Sequence, residues 1–139
     1  MKRNMFGALM TLIVAFAVAT PMVHAQTIMT AKVPFAFNVG QQQLPAGAYA
    51  VRELNSATLI ENKDGHERVL GIYTSAGPSK ADETKLVFDK IGDHYFLRQI
   101  WTSAAGQGMQ VPEPKLEKEL RAANTQPGGG AETVIVALR

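Results

Sequence analysis

The sequence predicts a mainly β fold, a single-domain antiparallel β-sandwich or small barrel with one short α-helix in its C-terminal half. Three observations carry that expectation. Apolar residues alternate with period two in six short runs separated by Gly, Pro, Asn and Asp. One segment, about 113–124, switches to helical spacing. A β-branched run, Thr133-Val134-Ile135-Val136-Ala137-Leu138, follows a Gly-rich linker at 127–130. Left free, such a run would invite aggregation, so it is expected to return as a final strand over about 132–138.

The chain opens on a segment that is not read as fold. Met1-Lys2-Arg3 gives a basic start, Met5 to Ala19 is uncharged and mostly apolar, and Val23 and Ala25 precede a break. This is the pattern of a secretory signal peptide, residues 1–25, cleaved after Ala25 to leave one domain over 26–139. The apolar run is short for a membrane span of roughly 20 residues, and Pro21 with His24 closes it. No stable membrane insertion is therefore expected after cleavage, and the product is expected in the periplasm or outside the cell.

Cleavage changes the charge balance. Lys2 and Arg3 are the only Lys, Arg, Asp or Glu before residue 26, so fourteen basic residues become twelve against twelve acidic ones. No basic tract remains to attract phosphate backbones, and nucleic acid is not an expected partner. The chain has no cysteine, which removes disulfides, a lipid-modified Cys, thiolate metal sites and a Cys nucleophile. A domain of this size buries roughly two thirds of its unfolded surface, enough for a core without such staples.

The elements follow in order. Val33, Phe35, Phe37 and Val39 alternate along a first strand, with Pro34 suited to its edge or start. Pro45 and Gly47 fit a turn, and Tyr49 and Val51 resume the alternation in a second strand. Thr58–Glu61 and Arg68–Tyr73 flank Asn62-Lys63-Asp64-Gly65, a hairpin signal because Asp-Gly tolerates positive φ. Residues 76–83 read as a polar loop. Lys85–Asp89 and His94–Trp101 form another hairpin about Ile91-Gly92-Asp93. In the helix, Leu116, Leu120 and Ala123 make a narrow apolar stripe, Pro112 and Pro114 suit the first turn, and Lys115–Glu119 and Glu117–Arg121 pair one turn apart. The stretch from Val33 to Leu54 is expected to be a structural corner, and Val134 to Leu138 to complete the same sheet.

Templates for chemistry fail on their ingredients. His66 and His94 lie beside turns, near Asp64, Glu67 and Asp93, without a zinc-binding spacing, so no metal ligand is expected. Ser56, Ser75, Ser79 and Ser103 lack a nucleophile elbow, and no Ser-x-x-Lys occurs. Ser79-Lys80 follows Gly77-Pro78, but the rest of a phosphate loop is missing. Asp82, Glu83 and Asp89 read as loop and outward strand positions. No catalytic residue and no cofactor is expected.

The aromatic strand His94–Trp101 stands apart. Strict alternation puts Tyr95, Leu97 and Trp101 on one face and Phe96 and Ile100 on the other. Both faces of such a strand are apolar, so it is either covered twice, with the helix stripe as the cover, or presents a contact surface. Tyr95, Leu97 and Trp101 are thus the candidate contact residues for a ligand or partner.

The blocks VPFAFNVG, LPAGAYAV and KLVFDKIGDHYFLRQIW, followed by the charged EPKLEKEL, resemble small exported proteins common in acidobacterial genomes. The likeness spans the mature chain and implies no functional residue. These relatives open the helix on basic residues where Glu113-Pro114 stands here, so an anion site is not implied either. The expected function is an exported β-domain acting by binding or as an envelope component, its partner an unknown protein or a small apolar ligand. The alternative is a lipocalin-like carrier with an apolar ligand inside a barrel.

Overall fold

The computed structural model describes residues 28–54, 57–78, 83–102, 107–124 and 130–139. The expected signal peptide and residues 127–129 of the linker lie outside the described residues. In chain order the strands are β1 (Ile28–Val33), β2 (Phe37–Val39), β3 (Gln42–Leu44), β4 (Gly47–Leu54), β5 (Ala57–Asn62) and β6 (Arg68–Gly71). They continue with β7 (Thr74–Pro78), β8 (Lys85–Ile91), β9 (His94–Trp101), β10 (Gln107–Gln110) and β11 (Glu132–Ala137), and helix α1 (Lys115–Ala123) precedes β11. One sheet has the order β1-β4-β5-β6, and the second β11-β8-β9-β10-β7 with the β2–β3 hairpin attached to β9. The pairings are antiparallel except for a single parallel bridge, Asn38 to Phe96. The sheets do not close into a barrel, so of the two expected architectures the chain takes the sandwich.

The run expected as one strand, Val33 to Val39, crosses from the first sheet to the second at Pro34-Phe35-Ala36. Its alternation survives the corner. Val33, Phe37 and Val39 are buried, and Phe35 stacks on Tyr95 at 3.8 Å and meets Phe88 edge-on at 5.1 Å. Phe37 in turn meets Tyr49 and Phe88 edge-on at 5.1 and 5.2 Å, geometries that add to simple area burial. The turn Leu44-Pro45-Ala46-Gly47 has its own lock. The buried Tyr49 hydroxyl donates to the Pro45 carbonyl and accepts from Asn62 Nδ2 at 3.5 Å. Burial pushes the Tyr49 phenol above its usual range, and the Glu67 carboxylate adds to the shift.

Two turns differ from each other in a way composition hides. Gly92 adopts φ 60° in the tight β8–β9 turn, a conformation that favours glycine. The β5–β6 connection is not the expected tight Asp-Gly turn. Residues 63–67 form a longer loop, held by Asn62 Oδ1 accepting from the Asp64 amide at 2.9 Å and by Asn62 N donating to the Glu67 carbonyl at 2.9 Å. A side-chain amide does there what positive φ was expected to do.

A bulge in β9 revises the expected faces of the aromatic strand. Phe88 pairs with Leu97 and Val87 with Gln99, which leaves Arg98 as an extra residue. The phase therefore flips between Leu97 and Ile100. Tyr95, Leu97 and Ile100 face the core, whereas Phe96, Gln99 and Trp101 face outward with Asp89, Val87 and Lys85. The Arg98 carbonyl, freed from the ladder, accepts from the Val111 amide at 2.8 Å. That bond fixes where the chain leaves β10 for the helix.

The final segment returns as a strand to the second sheet, which holds β2 and β3 of the Val33–Leu54 stretch, whereas β4 of that stretch lies in the first. β11 pairs along its whole length with β8, in the second sheet. It reaches the first only at its end, where Arg139 and Thr30 exchange backbone hydrogen bonds of 2.9 and 2.7 Å. The reason lies in the corner at Pro34, which has already parted the strands that sequence alternation read as continuous. Val134 and Val136 pack on the core and Leu138 is buried within it.

Three outcomes follow for stability. Leu138→Ala should cost about 2–4 kcal/mol in urea unfolding, and deletion of residues 131–139 should cause aggregation or a much lower melting temperature. An unchanged melting temperature for the deletion would remove β11 from the fold's support. Tyr49→Phe should cost about 1 kcal/mol by the same measurement, because it removes the buried hydroxyl that joins the Pro45 carbonyl to the Asn62 amide.

Candidate interaction surface

The two outer faces of the sandwich are built differently. On the second sheet, Asp89, Ile91 and Phe96 point away from the core, and α1 lies over them. Ile91 and His94 of the β8–β9 turn line a shallow cleft of about 240 Å³ with Leu120 and Ala123 of the helix. The helix does not dock as expected. Leu116, at the head of the apolar stripe, is 45 % exposed, and the helical residue fully buried is Glu117.

Charges hold the helix instead. The bulge aims Arg98 outward, its Nε 3.3 Å from Asp89 Oδ2 and its Nη1 3.7 Å from Glu117 Oε2. Arg121 Nη2 donates to Glu117 Oε1 at 2.8 Å and to Asp89 Oδ2 at 2.9 Å, while its Nε donates to Glu113 Oε1 at 3.1 Å. The helix is thus tied to β8 and β9 by two guanidinium groups among three carboxylates. Desolvation pushes the Glu117 carboxyl above its usual value, against the Arg121 hydrogen bond and the Arg98 charge that pull it down. The hydrogen bond to Glu117 raises Arg121 further, so it stays charged.

In the sequence, Glu117 and Arg121 are only a helix pair one turn apart. Its burial depends on the bulge at Arg98, which alternation does not reveal.

The three candidate contact residues do not share a surface. Leu97 is 1 % exposed in the core. Tyr95 lies on the same side, stacked on Phe35, with Lys90 Nζ 5.7 Å from its ring centre. Trp101 alone faces outward. It lies flat on Gly108, where an added Cβ would come within 2.8 Å of the indole, and its Nε1 donates to Gln99 Oε1 at 3.0 Å. Lys85 Nζ sits 5.6 Å over the same ring, so the indole is already engaged on several sides.

The first sheet presents the open face. Its strand registers align Ile28, Arg52, Leu59 and Leu70 in one row across all four strands. The neighbouring row, Met29, Val51, Ile60 and Val69, packs into the core, so the first row must point outward. Ile28 is 50 % exposed, Leu70 63 %, and Ile72, two residues further on, 77 %. Arg52 lies in the middle, 4.0 Å from Glu61. Beside the row is a depression of about 450 Å³ lined by Ala50, Arg52, Glu61 and Lys63. A smaller one, about 150 Å³, shares Glu61 and Gly65 with it and adds His66 and Arg68. His66 therefore borders this face, whereas His94 sits at the far turn under the helix end. Among the described residues no three His, Asp or Glu side chains converge as a metal would require.

The buried carboxylate yields two predictions. A folded-state carboxyl raised above the ordinary value of 4.5 holds a proton that the unfolded chain has already released. Its contribution is fully present below that value and is lost as pH rises through the folded one. Urea midpoints at pH 5 and pH 8 should therefore show the Glu117→Gln variant gaining stability relative to the wild type as pH rises. The opposite trend would mean that Arg98 and Arg121 outweigh desolvation and hold the carboxyl below its ordinary value. Arg121→Ala should cost about 3 kcal/mol at neutral pH, the low end for breaking a buried pair, because Arg98 still faces Glu117.

No family model, curated protein or solved structure matches the chain.

Proposed function

We propose that the chain is an exported β-sandwich that works by contact with a partner in the cell envelope, and that the outer face of the first sheet is its contact surface. The observation that carries this reading is the register row Ile28–Arg52–Leu59–Leu70, continued by Ile72. Ile28, Leu70 and Ile72 are exposed and Leu59 is half-buried, with Arg52 standing between Ile28 and Leu59. Scattered apolar residues on a surface mean little, but a row that aligns apolar side chains from three of the four strands of one sheet supports an interaction site. Arg52 and the polar depression beside it would supply orientation, the band the desolvated area.

The interior favours contact over carriage. Phe37, Leu44, Tyr49, Ile60, Phe88 and Ile100 have no exposed surface, and their rings interlock between the sheets. A carrier of the lipocalin kind needs that space empty and enclosed by a barrel. Export rests on the signal-peptide pattern of residues 1–25.

The test places a photo-crosslinking residue at Leu70 and, as control, at Lys118 on the exposed side of α1, in the native host. The expected result is one discrete adduct from Leu70, lost on Leu59→Asp, with none from Lys118. Equal, diffuse labelling from both positions, or no adduct from Leu70, would refute the assignment of this face.

A further inference from the structure

We propose that β11 is a dimerisation strand, pairing antiparallel with β11 of a second copy of this chain about a two-fold axis at Ile135. The contact would join two second sheets edge to edge. It lies on the opposite sheet from the proposed contact face and is independent of it.

The backbone supplies the first reason. β11 ends the spatial order of its sheet, and β8 is the strand it pairs with. The Leu138 amide donates to the Thr84 carbonyl at 3.1 Å, which turns the even-numbered residues of β11 toward β8. Thr133, Ile135 and Ala137 therefore point their N–H and C=O groups outward. Arg139, next in that series, shows what such groups do when a strand is in reach, because it bonds Thr30 through both. The other three have no backbone partner among the described residues.

The second reason is the lack of any device that keeps strands apart. Natural edges carry Pro, Lys, a bulge or a twist. The opposite edge of the same sheet, β7, has Pro78, Gly77 at φ 117° and a register break against β10. Glu132-Thr133-Val134-Ile135-Val136-Ala137 has neither Pro nor Lys, and its register with β8 is unbroken. Ile135 is 60 % exposed at its centre.

The third reason is self-complementarity, which a two-fold contact demands. With the axis at Ile135, Ile135 meets the partner's Ile135 on the outer face. Val134 meets the partner's Val136 on the inner face, where both already pack on the core, so the pairing would continue one core into the next. Thr133 meets the partner's Ala137. Glu132 opens the strand and Arg139 lies two residues past its other end. An antiparallel pair brings unlike ends together, whereas a parallel pair would set Glu132 beside Glu132.

The absence of cysteine in the chain makes the test clean. Across the axis the two Ile135 Cα atoms would stand about 5.5 Å apart, within disulfide reach. The two Thr133 positions would lie four residues out of register, more than about 13 Å apart. The purified protein should sediment with a dimer's mass, in a concentration-dependent manner. On mild oxidation Ile135→Cys should cross-link to itself, Thr133→Cys should not, and an equimolar mixture of Thr133→Cys and Ala137→Cys should cross-link to each other. Ile135→Lys should halve the mass with the circular dichroism spectrum unchanged. If Ile135→Lys fails to fold, the cysteine set decides alone, since those changes are small and edge-exposed. A monomer at the highest attainable concentration, or equal cross-linking of Ile135→Cys and Thr133→Cys, would overturn the proposal. So would a monomer whose β11 edge instead takes up an extended segment of another protein.

Discussion

The buried carboxylate of Glu117, set between Arg98 and Arg121, decides which face of the sandwich is covered. A nine-residue helix has little stability of its own. Its apolar stripe is too narrow to seat it, with Leu116 left nearly half exposed. What holds α1 to the second sheet is a charged lattice anchored on β8 by Asp89 and on β9 by the bulged Arg98. Its geometry specifies the helix's position more sharply than a greasy contact would. Covering Phe96 and Ile91 uses the helix up. The aliphatic band of the first sheet is left without an equivalent lid among the described residues.

The core beneath both faces is closed by devices of a different kind. Phe35 and Phe37 bridge the corner where the chain changes sheets, and Tyr49 pins the next turn through the Pro45 carbonyl. At one side the sheets meet through Arg139 and Thr30. At the end of the sandwich, Thr102 donates to Glu53 and Thr58 to the Met109 sulfur. Buried polar groups are thus paired across the gap between sheets, which fixes how they sit as well as how firmly. The motif that opens the domain proves to be architecture. Its Pro, Gly and aromatic residues each answer a demand of the corner.

Much of this was legible in the residues. Period-two alternation put Val33, Phe37 and Val39 on one face and Tyr49 and Val51 on one face, all of them buried, and Gly92-Asp93 marked a turn that is found there. The β-branched run at the C-terminus announced a strand. Three features escaped. A bulge adds one residue without altering composition, so the face of Trp101 was reversed and the exit of Arg98 went unseen. β3, β7 and β10 are short and mostly polar or Gly-rich, and pairing by their neighbours makes them strands. The open face was hidden for a third reason. Ile28, Leu59, Leu70 and Ile72 each look ordinary in sequence, and only the registers bring them into one band.

The charged clamp commits the helix to the second sheet and leaves the outer face of the first sheet uncovered among the described residues. Hydroxyl-radical footprinting of the purified protein reads side-chain exposure directly and tests it. The account predicts fast oxidation at Ile28, Leu70 and Ile72, with Phe96 protected to the same degree as the core residue Phe88. Phe96 reacting as fast as Leu70, or protection of Leu70 and Ile72 in the free protein, would contradict it.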